Sequence, residues 1–346
     1  MNDTIRVGLI GYGYASKTFH APLIAGTAGM DLAAIASSDA AKVATDWPSA
    51  PVVSEPKHLF NDPNIDLIVI PTPNDTHFPL AKAALEAGKH VVVDKPFTVT
   101  LSQARELDAL AKSFGRLLSV FHNRRWDSDF LTVKSLINEG SLGEIAWFES
   151  HFDRYRPQVR NRWREQAGPG SGIWYDLGPH LLDQAVNLFG LPVSLTVDLA
   201  QLRPGAQTTD CFHAILSYPQ RRIVLHASML AAAETARYIV HGTRGSYVKF
   251  GLDPQEERLK NGERLPQEDW GYDMRDGVVT RFEGEEQVEE TLLTQPGNYP
   301  AYYAAIRDAL NGTGENPVPA SQAIQVMELI ELGIESAKHR ATLCLA

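Results

Sequence analysis

Apolar runs divide the chain into two regimes. In the first third, short and nearly continuous hydrophobic stretches recur at Val7–Ile10, Leu32–Ala36, Ile65–Ile70, His90–Val93 and Leu117–Phe121. Runs this short, bounded by turn residues, predict strands covered on both faces, as in a parallel sheet. Helical spacing fills the gaps. Lys17–Ala25 predicts a short helix bent or cut by Pro22, Asp75 or Thr76 is placed to cap a helix closing at Gly88, and Leu101–Lys112 predicts another. From Ile145 the rhythm changes to longer strands separated by turns: Ile145–Arg154, Leu195–Leu202, Phe212–Tyr218, Ile223–Met229, Tyr238–His241 and Tyr247–Phe250. That pattern predicts a mostly antiparallel sheet with helices on one face, and the helices Tyr299–Leu310 and Ala320–Ala337 close the chain.

The first strand ends in Gly11-Tyr-Gly13-Tyr14-Ala15-Ser16. Gly11 permits a tight turn, Gly13 removes the Cβ that would keep a pyrophosphate from the backbone, and the helix start offers free N–H groups and a positive dipole end. Ala15 and Ser16 are small enough for close helix–strand packing. A dinucleotide is the natural ligand. Two rivals remain: a plain structural turn, and a degraded P-loop in which Ser16-Lys17-Thr18 follows Gly11, with one glycine missing and a G-x-G spacing that a P-loop does not need. The expected architecture is therefore α/β followed by α+β. Residues 1–122 form a Rossmann-type, doubly wound parallel sheet, and residues 123–346 an α+β domain on a mostly antiparallel, open-faced sheet.

Strand ends in such a sheet line the ligand crevice. After the second strand stand Ser37 and Ser38, where a carboxylate would grip the ribose of NAD. Serines can hydrogen-bond a 2′-phosphate that a carboxylate would repel, so NADP is favoured slightly over NAD, with Lys42 the one nearby cation. The third strand stops at Pro71-Thr72-Pro73-Asn74, which makes Thr72, Asn74 and His77 candidate cofactor contacts, the other reading being that Asn74 and Thr76 merely cap the helix. Asp94-Lys95-Pro96 ends the fourth. A lysine there can donate to a substrate oxygen and stabilise a developing alkoxide, although Asp94 and Lys95 also suit an ordinary surface pair.

In the second region lies Gly170-Ser-Gly172-Ile-Trp-Tyr175-Asp176-Leu-Gly-Pro-His180-Leu-Leu-Asp183. If helical, it projects Asp176, His180 and Asp183 from one face. A carboxylate one turn from an imidazole can orient it as a general acid/base, or Asp176 is a helix cap and His180 a satisfied core residue. One histidine with two aspartates is thin for zinc, so no metal is expected.

Composition narrows the classes. The 346 residues are 44% hydrophobic and 21% charged, enough for two cores, since domains usually hold ~100–200 residues. With 32 basic and 42 acidic residues the net charge is −10 and no basic stripe is present, which argues against nucleic acid. No charged-apolar-small leader precedes the first strand, and no apolar run approaches the ~18 residues of a membrane span. Cys211 and Cys344 cannot build a disulfide framework. A cytoplasmic protein without a membrane partner is expected.

Taken together, the G-x-G-x-x turn, the T-P-N-x-x-H loop, the D-K-P strand end and the G-x-x-x-D-x-x-x-H segment resemble the Gfo/Idh/MocA family of NAD(P)-dependent oxidoreductases, essentially end to end. S-V-F-H-N-R-R-W-D-S-D-F at Ser119–Phe130 and R-Y-R-P with R-W-R-E at Arg154–Glu165 look most like the NADP-dependent scyllo-inositol dehydrogenases and their uncharacterised bacterial relatives. The resemblance implies a catalytic Lys95, with Asp176 and His180 as its paired aspartate and histidine. Asp94 replaces the commoner glutamate, keeping the charge, and Ser37-Ser38-Asp39 replaces the serine-arginine of NADP-using relatives. It further implies hydride transfer to or from a sugar, inositol or similar polyol, for which Arg125, Tyr155, Trp163 and Tyr175 are candidate pocket walls. Other readings are redox-neutral elimination or isomerisation on a tightly held cofactor, a non-catalytic dinucleotide-binding regulator, and a magnesium-ATP phosphotransferase. The resemblance also implies homodimers or homotetramers, paired through the uncovered face of the second sheet.

Overall fold

A computed structural model describes residues 4–345. The chain forms two compact units. The first comprises Met1–Trp126, Pro254–Trp270 and Asn298–Ile324, and the second Asp127–Asp253, Gly271–Gly297 and Gln325–Ala346.

In the first unit, strands β1 (Ile5–Ile10), β2 (Met30–Ala36), β3 (Val52–Val53), β4 (Leu67–Ile70), β5 (His90–Val93) and β6 (Leu118–Val120) form one sheet in the order β3-β2-β1-β4-β5-β6. Every pairing is parallel. Val7, Leu9, Leu67–Ile70 and Val91–Val93 are fully buried, as the continuous runs require. Strand order reverses between β1 and β4, which places the ligand crevice at their carboxyl ends. The edge strand β3 is two half-buried residues, too short to leave a hydrophobic pattern.

Two local expectations need correction. The helix after β4 spans Asn74–Glu86 and starts behind Pro73, so Asp75 and Thr76 lie inside its first turn instead of capping it. The cause is the loop itself: the Thr76 amide donates to Pro73 O at 2.9 Å, pulling the first turn back toward the prolines. After the glycine turn, a wide helical turn at Ser16–His20 hands over to the helix Ala21–Ala25 at the point where Pro22 has no N–H to donate.

The second unit holds β7 (Ile145–His151), β8 (Ser194–Ala200), β9 (Cys211–Ser217), β10 (Arg222–Ser228), β11 (Ala236–Gly242), β12 (Gly245–Phe250), β13 (Gly277–Glu283), β14 (Glu286–Leu292) and β15 (Leu343–Cys344). Their order is β14-β13-β12-β11-β7-β10-β9-β8-β15, antiparallel except for β7 beside β10. The long helices Ile173–Phe189 and Ala320–His339 meet where Trp174 Nε1 donates to Ile330 O at 3.1 Å. The other face of the sheet is bare: register puts Trp147 beside His241 and Ser246, with Phe250 and Phe282 on the same side, all exposed or half-exposed. The hairpin β13–β14 escapes the hydrophobic pattern because all of Glu286–Thr291 is exposed. Its one signal is the Gly284-Glu285 turn between β-branched runs. Among the described residues no helix is long and apolar enough to cross a membrane.

Candidate active site

The chain turns at Gly11 with φ +81°, and Tyr14 already starts the helix. A Cβ on Gly11 would lie 3.3 Å from Thr72 Cγ2, so the loop after β4 closes on the turn. Among the described residues, nothing beyond Gly13 and its two chain neighbours lies within 4 Å of its Cβ position. In the first helical turn the Ser16 hydroxyl is buried without a hydrogen-bond partner among the described residues. An open cradle over a glycine, an unsatisfied buried hydroxyl and a helix start together fit a dinucleotide pyrophosphate. Ala15 is half-buried, and Tyr14 is 53% exposed.

At the end of β2, the Ser37 hydroxyl accepts the Asp39 amide at 3.1 Å, and Ser38 is exposed. The Asp39 carboxylate caps the helix Ala40–Asp46 through the Lys42 amide. Lys42 Nζ donates to Tyr12 O at 2.9 Å, which holds a cation against the glycine turn.

Around Asp94 and Lys95 the loops interlock. Asp94 Oδ1 accepts the Lys95 amide at 2.7 Å, while His20, fully buried in the helix after the glycine turn, faces Asp94 Oδ2. Lys95 is half-buried. His77 lies at zero exposure with its ring nitrogens 2.9 Å from Pro96 O and 2.9 Å from Thr72 O, and burial pushes its pKa down. The ring therefore ties the loop after β4 to the loop after β5. Asn74, 4% exposed, begins the helix beside it.

In the second unit Gly172 enters the helix Ile173–Phe189 at φ +88°, where a Cβ would meet Thr208 Oγ1 at 2.5 Å. Only glycine fits that entry. It sets Asp176 in the first turn and His180, 5% exposed, one turn on. Asp183, on the same face, is 2% exposed. Arg164 Nε stands 3.5 Å from Asp176 Oδ1, and its guanidinium stacks on the Trp163 ring at 4.4 Å. Trp163 is thus tied to Asp176 through an arginine that spacing did not single out. Burial, then the Glu331 charge, raises the Tyr175 hydroxyl to about 12, which keeps it a protonated donor. Tyr155 is 61% exposed, bridged to Leu230. Arg125 belongs to the first unit, where Nη1 donates to Gln322 Oε1 at 2.7 Å. Among the described residues no cluster could hold a metal ion.

Residues 5–122 match the Gfo/Idh/MocA model of an oxidoreductase family with an NAD-binding Rossmann fold, and residues 134–345 match its C-terminal alpha/beta domain. An uncharacterised oxidoreductase of Escherichia coli, YdgJ, is 87% identical over 100% of both chains. The NADP-dependent scyllo-inositol 2-dehydrogenase IolW of Bacillus subtilis is 39% identical over 99% of this chain and 96% of its own. A solved Yersinia pestis structure, described as a candidate oxidoreductase, superposes with a TM-score of 0.97 at 70% identity, covering 100% of this chain and 98% of its own.

Proposed function

We propose that this chain, which belongs to the Gfo/Idh/MocA family of oxidoreductases, transfers a hydride between NADP and a carbinol or ketone carbon of an inositol, sugar or similar polyhydroxy compound. The observation that carries the reading is the pairing of Asp176 and His180 one turn apart on a glycine-positioned helix, in a chain that also sets Asp94 and Lys95 at the end of a parallel strand. Gly11, Gly13, Tyr14, Ala15 and Ser16 would hold the pyrophosphate, and Thr72 and Asn74 would line the same crevice. When bound, the nicotinamide supplies the hydride acceptor or donor. In the oxidation direction an imidazole nitrogen of His180 takes the hydroxyl proton, and the Lys95 ammonium donates to the same oxygen as negative charge grows on it. Asp176 holds the imidazole or a neighbouring hydroxyl, and Arg164 fixes Asp176.

The NADP preference rests on Ser37 and Ser38. With the Asp39 carboxylate spent on its helix cap and Lys42 drawn to Tyr12 O, the end of β2 favours a 2′-phosphate over bare ribose hydroxyls. Trp163 and Tyr175 supply an aromatic face and a hydroxyl donor to a polyol, with Tyr155 and Arg125 as further walls. Self-association of a second copy through the bare sheet face, as dimer or tetramer, would cover Trp147, Phe250 and Phe282. Two free cysteines suit a cytoplasmic setting.

Nicotinamide absorbance with NADP and NAD, each against a panel of inositols, aldoses and glycosides, tests the reading. Turnover of at least one polyol, faster with NADP, is expected. Absence of redox turnover across the panel, with cofactor bound, contradicts it.

A further inference from the structure

Between β12 and β13 the chain makes a long excursion, Pro254–Trp270, that packs as part of the first unit. Gln255 closes its base. This residue is fully buried, its Oε1 accepts Trp270 Nε1 and the Tyr299 amide, both at 2.7 Å, and its Nε2 donates to Trp126 O at 3.0 Å. Further along, the Arg264 guanidinium lies 4.3 Å from the Trp47 ring, and Leu265 packs so tightly on Gly26 that a Cβ there would meet its own Cβ at 2.7 Å. The excursion is a strap with a fixed base, drawn over the helix that follows the glycine turn.

Glu256 links the strap to the turn itself. Tyr14 Oη donates to Glu256 Oε1 at 2.8 Å, and Arg124 Nη2, in the loop after β6, donates to Glu256 Oε2 at 2.7 Å. Lys260 Nζ adds a third contact, the second from a cation, at 3.2 Å. Burial opposes a charge here, but the Arg124 and Lys260 charges and the two hydrogen bonds outweigh it and hold the carboxyl at about 2. A carboxylate beside a pyrophosphate site would ordinarily repel the ligand. Two cations at its back cancel that repulsion and leave an acceptor whose use is to hold one phenol.

We infer that Glu256 is a positioning residue for the cofactor: with Arg124 it latches Tyr14 beside the glycine turn, so that release of the dinucleotide requires the Tyr14–Glu256 bond to open. The inference rests on the reading that a dinucleotide lies over Gly11–Ser16. Tyr14 follows Gly13 directly and keeps its ring edge-on to Phe19 at 6.1 Å, so a tether on the hydroxyl fixes both the ring and the helix start that faces the ligand.

The test is stopped-flow release of NADPH, followed by its fluorescence, from wild type, Glu256→Gln, Tyr14→Phe and the double variant, with thermal unfolding of each recorded. Tyr14→Phe leaves the Glu256–Arg124 pair intact and so guards against a mere folding defect. Each single variant should speed release about tenfold with little change in unfolding temperature, and the double variant should release no faster than Tyr14→Phe, because both act on one bond, Glu256→Gln by trading its charged acceptor for a neutral amide and Tyr14→Phe by removing the donor. Unchanged release in both singles, or fully additive effects, overturns the latch. Failure of the wild type to bind NADPH overturns the dinucleotide reading instead, and the latch with it.

Discussion

His20 Nε2 lies 3.7 Å from Oδ2 of Asp94, and the Nδ1 of the same ring is 2.6 Å from the Tyr303 hydroxyl. The residue before the proposed catalytic lysine is therefore held from below by a buried ring, while its other oxygen accepts the Lys95 amide. Lys95 does not float at a strand end.

That contact sets a pH dependence. Burial raises the Asp94 carboxyl, but the His20 ring facing Oδ2, then the charge of Lys95, outweigh it and hold the group at about 2 against an ordinary 3.8. A folded-state pKa below the unfolded one means that ionised Asp94 stabilises the fold above the unfolded value, and that this contribution is lost as pH falls through the window between the two. The shift corresponds to about 2 kcal/mol. Urea unfolding of wild type against Asp94→Asn should show that difference near neutral pH and a shrinking one below about pH 4. A difference independent of pH would contradict the pairing.

The two glycines of the turn should separate cleanly. Gly13→Val adds a side chain at a Cβ position that no described residue beyond the chain neighbours approaches within 4 Å, so its unfolding temperature should stay within ~2 °C of wild type while NADPH affinity falls at least about thirtyfold. Gly11→Ala forces a Cβ onto φ +81°, at a cost of ~1–2 kcal/mol in stability. Calorimetric titration and thermal unfolding, run on both variants, check the contrast.

Much of this architecture is legible in the chain. Continuous apolar runs gave away β1, β2, β4, β5 and β6 because parallel strands are covered on both faces, and the glycine spacing marked the turn. What stayed hidden depends on distance along the chain or on exposure. Glu256 reaches Tyr14 across 242 positions, which no local pattern encodes. Arg164 is one of several arginines in its segment, and its place beside Asp176 follows from the path of Arg160–Gly172. The β13–β14 hairpin is missed because solvent covers most of it, and β3 because it is two residues long. His77 shows the converse: its position after β4 was plain, but its zero exposure and paired carbonyls were not.

Cofactor preference can be inverted at one position. Ser37→Asp can still accept the Asp39 amide, yet it places a carboxylate where a 2′-phosphate is proposed to sit. Binding of NADPH should weaken at least about tenfold while NADH binding holds or improves. Equal losses for both cofactors would remove the 2′-phosphate assignment.

Stability of the second unit hinges on a buried guanidinium. Arg237, 2% exposed, donates to Asp129 at 3.1 Å, Ser150 at 2.7 Å and Gln184 at 3.0 Å. Arg237→Met strands the Asp129 charge and should cost ~3–5 kcal/mol in urea unfolding, whereas Arg237→Met with Asp129→Leu should cost less than the single change. A greater loss in the double variant would show that the pair itself, and not the orphaned carboxylate, carries the energy.

Single-turnover hydride transfer, read at the nicotinamide absorbance with cofactor and a reactive polyol saturating, tests the assignment of Lys95 and His180 most directly. Lys95→Met and His180→Ala should each slow the step by about 10²–10⁴ with NADPH affinity kept, and the double variant should be slowed by less than the product of the two. Wild-type rates in either single variant would contradict the roles given to these residues.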